Sequence, residues 1–321
     1  MPPLPAALRS PPARALLALA AVIALGCAFH QEGAFFRWST HRDLLREVAV
    51  GGILSCGMTL VIVSGGIDLA VGSVLALSAV SFALLTIPLG VGALTAVLAV
   101  LALGLATGAA SGALVARARL QPFIVTLAMM VFARGLAKRL SGGKKVSAYA
   151  AGSSGLPPIF DHLDARVLGG NVAVVTLVFL ACVAITAVVL HRLRLGRYLY
   201  AVGGNAEAAR FSGVPVERVL VSAYALSGLF AAVAGICQAA QETHGDPETG
   251  MGYELDAIAM VVIGGTSLTG GRGGVGLTLI GVLTIGYLRK ILSINAFSTE
   301  TRLMLTGAII VSAALFQKGR A

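Results

Sequence analysis

Charge is what this sequence has least of. Asp, Glu, Lys and Arg together make up 12% of it, against about a quarter in an ordinary soluble domain. With 321 residues, 57% of them hydrophobic, and a mean hydropathy of +0.90, the chain cannot coat a water-facing surface of its own size. That argues against a soluble enzyme, a nucleic-acid binder and a disordered protein. The cysteines, Cys27, Cys56, Cys182 and Cys237, lie in apolar segments and form no Cys-x-x-Cys pair, so they indicate neither a disulfide framework nor a metal site. No two of the five histidines stand at the i, i+4 spacing of a zinc-binding helix. The chain also has no Gly-x-x-x-x-Gly-Lys-Ser/Thr phosphate loop and no Gly-x-Ser-x-Gly elbow. Enzyme chemistry has no visible seat, and no cofactor is expected.

What the chain does have is apolar runs. They fall at 15–30, 48–63, 70–87, 91–116, 123–140, 172–190, 219–239, 255–263, 275–292 and 303–315. At about 20 residues per bilayer crossing, they predict an all-α polytopic membrane protein of about ten transmembrane helices. The whole of 1–321 reads as a single transmembrane domain, with the 15–30 run as an uncleaved first span rather than a signal peptide. The formal net charge of +10 sits between the runs, where anionic lipid headgroups receive it. Lipid is therefore the expected partner of these cations, and nucleic acid is not. The 24 basic residues divide evenly between the two faces of such a topology, so charge alone sets no orientation.

Two runs break at glycine. The run at 48–63 ends in Ser64-Gly65-Gly66-Ile67-Asp68-Leu69, and that at 255–263 in Gly264-Gly265-Thr266-Ser267-Leu268. Laid side by side, Gly65, Gly66, Leu69 and Gly72 match Gly264, Gly265, Leu268 and Gly271. Gly-rich interruptions at corresponding places of two halves are how broken helices beside a transport pathway look in a sequence; Gly-rich loops at the membrane surface look the same. On the first reading, Gly65, Gly66, Asp68, Asp256, Gly264, Gly265 and Thr266 belong to the pathway. Asp68 also suits a capping role ahead of the next helix.

Other glycines have simpler meanings. Gly104, Gly108 and Gly112 form a smooth stripe for close helix packing. Residues 271–276 fit Gly-x-Gly-x-x-Gly, but no strand precedes them and no acid follows at the ribose distance, so they read as a turn into a membrane helix. The polar segment 191–218 differs in kind: Asn205 offers an N-cap, Ala206 to Arg210 a short helix outside the membrane, and Gly213 its stop. Either it is a plain connector or its small alanine face receives another protein, with Glu207, Arg210 and Phe211 as specific contacts.

Four blocks give the chain a family likeness. They are Ser64-Gly65-Gly66-Ile67-Asp68-Leu69-Ala70-Val71-Gly72-Ser73; Gln121-Pro122-Phe123-Ile124-Val125-Thr126-Leu127 with Arg134-Gly135-Leu136; the 203–214 loop; and Ile263-Gly264-Gly265-Thr266-Ser267-Leu268 with Gly270-Gly271-Arg272-Gly273. In their order and spacing the chain resembles the membrane permeases of bacterial ATP-binding-cassette (ABC) importers for monosaccharides, which are related to branched-chain amino-acid permeases. The resemblance implies a multi-pass inner-membrane subunit with both termini cytoplasmic. It implies pairing with a second permease copy, identical or paralogous, service by two cytoplasmic ABC ATPase domains, and docking of a periplasmic sugar-binding protein. It also implies that Gly203, Gly204, Asn205, Ala206, Glu207, Ala208, Ala209, Arg210, Phe211, Ser212 and Gly213 form the helix that couples to the ATPase.

Lys138, Arg139, Lys144 and Lys145 depart from the family pattern by adding positive charge to the face where the binding protein docks. An acidic docking surface, an anionic sugar derivative and simple solvated charge are the competing explanations. A secondary transporter or channel without ATPase partners is the rival function; it requires ionisable residues in mid-span, of which Asp68 and Asp256 are the visible candidates.

Overall fold

A bilayer offers no water to backbone N–H and C=O groups, so apolar runs must close their own hydrogen bonds as helices. The computed structural model describes residues 10–152, 155–298, 300, 301, 304, 305, 307 and 308. The helices are α1 (Pro11–Ala28), α2 (Trp38–Val63), α3 (Val71–Thr86), α4 (Ala93–Ala116), α5 (Pro122–Ser141), α6 (Pro158–Asp164), α7 (Val174–His191), α8 (Arg194–Gly204), α9 (Ala206–Phe211), α10 (Val216–Glu242), α11 (Tyr253–Gly264) and α12 (Val275–Ile294). Two-residue strands form two antiparallel ladders: β1 (Val146–Ser147) with β4 (His244–Gly245), and β2 (Arg166–Val167) with β3 (Val172–Ala173).

The all-helical membrane fold is as expected, but the count of about ten crossings is not reproduced. Among the described residues, six helices, α1, α2, α4, α7, α10 and α12, are long and apolar enough to span a bilayer. The physical reasons for the shortfall are local. α3 has 16 residues, α11 has 12 and stops at its own break, and α5 carries Arg134, Lys138 and Arg139. The run at 303–315 lies largely outside the described residues.

α2 is the axis of the bundle. Its apolar residues point in every direction, which requires cover on every side: Ile53, Cys56, Met58, Leu60, Val61, Ile62 and Val63 are wholly buried among α7, α10, α11 and α12. Its two interior hydroxyls do not stay unpaired. Ser55 donates to the Gly51 carbonyl (2.8 Å), and Thr59 shares a 2.7 Å hydrogen bond with Thr278 of α12.

α4 and α10 run antiparallel in direct backbone contact, and the glycine stripe is the cause. Gly104 faces Gly228 and Ala232, Gly108 faces Tyr224 and Ala225, and Gly112 faces Val221. A Cβ on Gly108 would lie 3.0 Å from the Ala225 Cα, so dispersion contacts along the whole seam depend on the missing side chains. Gly135 on α5 has nothing within 4 Å of such a Cβ.

The links sort onto two ends. Pro11 lies against Gly265, and the Gly271 N–H donates to the Val63 carbonyl (2.9 Å), so the start of α1, the end of α2 and the α11–α12 link share the end that carries α9. At the other end Asn295 donates to the Phe29 carbonyl and Trp38 to Asn171. There Arg46 pairs with Asp164, and Arg166 with Asp43 at 2.6 Å.

The seam makes opposite predictions for one substitution at two glycines. Gly108→Ala overpacks the α4–α10 contact and lowers stability by about 1–3 kcal/mol, whereas Gly135→Ala raises it by about 0.5–1 kcal/mol through helix propensity. Thermal unfolding of the purified variants in detergent reads both signs.

Candidate functional site

The two breaks have the same geometry. After α2, Gly65 takes φ +85°, its N–H donates to the Ile62 carbonyl (2.9 Å) and the Gly66 N–H to that of Val61 (3.0 Å). After α11, Gly265 takes φ +108°, its N–H donates to Val262 (2.8 Å) and the Thr266 N–H to Val261 (3.2 Å). Both are glycine-closed helix ends whose left-handed turn satisfies otherwise open carbonyls. The turn therefore pairs Gly65 with Gly265, one residue away from the register of matching glycines in the sequence, which set Gly65 against Gly264.

Beyond the first turn the chain doubles back. Asp68 is 4% exposed; its Oδ1 accepts from the Ala70 N–H (3.0 Å) and its Oδ2 from the Ser227 hydroxyl of α10 (2.7 Å). Tyr224 and Thr126 both donate to the Ile67 carbonyl at 3.4 Å. The carboxyl thus closes a turn just ahead of α3, whose N-cap Ala70 has no side-chain cap of its own, and also fastens the break to α10. Gly264 and Thr266 are buried in packing, with Thr266 accepting from the Gly274 N–H (3.3 Å), and Asp256 is ion-paired to Arg289 of α12. The expected pathway residues therefore occupy separate places; the structure does not gather them around one cavity within this chain.

The α8–α9 excursion is built as its sequence implies. Asn205 accepts from the Ala208 N–H (2.9 Å), and Gly213 ends the turn at φ +82°. Glu207, Arg210 and Phe211 are exposed, Phe211 to 85%, while Ala209 is buried against the chain itself. Ala209 consequently faces inward, away from any partner. α8 was not separately visible in the polar segment; its Tyr200 hydroxyl donates to the Gly273 carbonyl (2.8 Å).

Where α8 meets the bundle, three segments touch through glycine backbone. A Cβ on Gly270 would come within 2.8 Å of the Gly203 oxygen and 2.9 Å of the Gly65 Cα, and one on Gly271 within 2.8 Å of the Gly204 Cα. The root of α9 thus rests on both helix breaks at once.

At the opposite end, the link 243–252 folds back as a strap along α3 and α5. Arg134 Nη1 donates to the carbonyls of Pro247 (2.6 Å) and Thr249 (2.7 Å), and Nη2 to that of Gly72 (3.4 Å). Lys138 pairs with Glu248 (2.6 Å) and Lys145 with Asp246 (3.1 Å). Burial works to raise the Asp246 carboxyl, but the Glu248 N–H and Lys145 outweigh it and hold it below the usual carboxylate range. Of the four cations set aside for docking, Lys138 and Lys145 therefore serve within the chain. Arg139 and Lys144 are exposed and make no ion pair among the described residues. Arg134 and Arg289 were missed as membrane-level ionisable groups, although an arginine inside an apolar run is the signal that finds them.

The chain belongs to a family of transport permeases: residues 42–314 match the model described as the branched-chain amino acid transport system / permease component. It is accordingly a transport subunit and not an enzyme. Among its relatives, the ribose import permease protein RbsC of Escherichia coli (strain K12) is 40% identical over 304 residues, covering 94% of this chain and 92% of the relative. RbsC of Bacillus subtilis (strain 168) is 40% identical over 276 residues, covering 86% and 84%. The L-arabinose transport system permease protein AraH of E. coli (strain K12) is 34% identical over 315 residues, covering 94% and 89%. No solved structure matches the chain significantly.

The strap is the part of this site most open to a direct test. Arg134→Ala leaves the carbonyls of Pro247 and Thr249 without their donor, each about 1–3 kcal/mol where buried. Amide hydrogen exchange across 243–252 is expected to rise at least about tenfold while exchange in α2 stays unchanged. Unaltered exchange in the strap would refute its dependence on Arg134.

Proposed function

We propose that this protein is the permease subunit of an ATP-driven ABC importer for a simple sugar of the pentose or hexose class, delivered by a periplasmic binding protein. The observation that carries the reading is the likeness to ribose and arabinose permeases over nearly the whole chain, joined to an exposed short helix rooted on both breaks. On this reading the protein lies in the bacterial inner membrane and crosses it ten times, α3, α5, α11 and the 303–315 run included. The shared turn at Gly65 and Gly265 supports treating the breaks as equivalent parts of an internal repeat. α9 faces the cytoplasm, and so does the N-terminus, since Pro11 lies at the same end.

The working parts follow. Two ATPase domains engage residues 203–213 through Glu207, Arg210 and Phe211. A second permease copy, identical or paralogous, completes the pathway, to which Gly65, Gly66, Asp68, Asp256, Gly264, Gly265 and Thr266 contribute from this chain. The loaded binding protein docks at the strap end, where Arg139 and Lys144 supply uncommitted positive charge. Each partner must favour one of two arrangements to move the equilibrium: the binding protein the outward-open one, and the ATPases, by closing on ATP, the alternation between them. Because glycine backbones join α9 to the breaks without an intervening side chain, displacement of the lever reaches them undamped.

Phe211→Asp tests the coupling without threatening the fold, because the side chain is 85% exposed. In vesicles containing the assembled importer, ATP-dependent uptake of a labelled pentose is expected to fall more than about tenfold, the loss anticipated when an exposed aromatic anchor of an interface is removed. The level of the protein in the membrane should be unchanged. Undiminished uptake would discard the coupling assignment.

A further inference from the structure

A charged surface recess among the described residues has no part in the coupling or strap machinery. It lies at the α9 end, where α4 stops and α10 starts. Its volume is about 440 Å³ and its walls are Arg117, Glu217, Arg218, Val221 and Ser222, a size within the roughly 300–1,000 Å³ of small-ligand sites. The glycine stripe creates it. Gly112 lets α4 settle onto Val221, which brings the arginine just past the end of one helix beside the arginine in the first turn of the other.

Both arginines are exposed, and neither makes an ion pair among the described residues. The Ser222 hydroxyl is turned back onto the Arg218 carbonyl (2.8 Å), so the guanidinium groups are the donors available to an occupant. Glu217 offsets one positive charge and leaves the wall net cationic. Arg117 follows directly on an apolar helix of 24 residues, and Arg218 opens one of 27, which sets the pair at the level of the headgroups. Leu114 and Leu120, each three residues from Arg117 in the chain, are 46% and 47% exposed and offer apolar surface on the same segment.

We propose that this cavity binds the phosphodiester headgroup of an anionic phospholipid, with Arg117 and Arg218 as paired donors and Leu114 and Leu120 against its acyl chains. Guanidinium groups suit phosphate oxygens because their forked donors match them two at a time. Cationic recesses between membrane helices at a membrane face are characteristic lipid headgroup sites. A soluble phosphate offers the same oxygens but gains nothing from the leucines, which is why the lipid is the assigned occupant. The assignment stands independently of the substrate and of the coupling route.

The test uses the full-length permease, purified and reconstituted in nanodiscs of phosphatidylcholine with or without phosphatidylglycerol. Native mass spectrometry should find phosphatidylglycerol retained on the unaltered protein. The double variant Arg117→Gln with Arg218→Gln should retain it about thirtyfold more weakly, roughly the contribution of two basic residues near a charged surface. Thermal unfolding should move upward with phosphatidylglycerol for the unaltered protein only. Equal retention by both proteins would overturn the proposal, and so would an upward shift of the same size from inorganic phosphate in pure phosphatidylcholine, which would make the site one for soluble anions. A photoactivatable phosphatidylglycerol adds a readout that needs no variant: labelling should fall on peptides spanning 114–120 and 217–222, and labelling elsewhere alone would overturn the site.

Discussion

Backbone-to-backbone contact through glycine is the constraint on which the rest of this structure depends. In a bilayer the hydrophobic effect does not drive helices together, because lipid tails are as apolar as leucine. Association must come from closeness, and closeness requires surfaces without Cβ atoms. The α4–α10 seam meets that requirement along three successive turns. The junction of Gly65, Gly203, Gly270 and Gly271 meets it at a point where three segments converge. The first contact makes a rigid pair of helices. The second makes a joint, since two of the three segments touching there are turns and the third is the last turn of α8.

Several buried polar groups of the bundle follow the companion rule that buried groups need partners, although the Ser78 hydroxyl of α3 and the Thr176 hydroxyl of α7 are buried without one. Asp68 has both carboxyl oxygens occupied, by Ala70 and Ser227. Thr59 finds Thr278, and Thr266 finds Gly274. Ser227, Tyr224 and Thr126, donating to Asp68 and Ile67, connect the irregular backbone of the first break to regular helices, so that break is sustained by neighbours and not by its own ladder. A transport subunit without nucleotide machinery of its own is consistent with this division: a stiff frame, two breaks, and a short exposed helix rooted on both.

Features governed by local chemistry were legible in the residue order. Asn205 and Gly213 bound a helix because cap and stop are decided within a few residues. Gly104, Gly108 and Gly112 announced a packing face because their spacing is that of one helix side. The two breaks were visible as glycine in an apolar run. Properties decided by distant partners were not. Lys138 and Lys145 read as charge for a docking partner, an anionic substrate or solvent until Glu248 and Asp246, about a hundred residues on, fold back to meet them. The inward turn of Ala209 depends on how α9 leans on the bundle, which no periodicity within six residues encodes. Matching glycines set the two breaks one residue away from the register of their shared hydrogen bonds, because those bonds follow the helix ends.

The strap end and the glycine joint answer to different physical variables. Lys138–Glu248 and Lys145–Asp246, like Lys290–Glu47, are ion pairs at least partly open to the medium, and such pairs weaken as dissolved electrolyte shortens the reach of a charge. The joint carries no charge and depends on shape alone. The stiffness of one rim is thus set by the saltiness of the fluid it touches, while the opposite rim keeps its mechanical character in any ionic environment. The strap therefore answers to the electrolyte on its side of the bilayer, whereas the uncharged glycine contact does not.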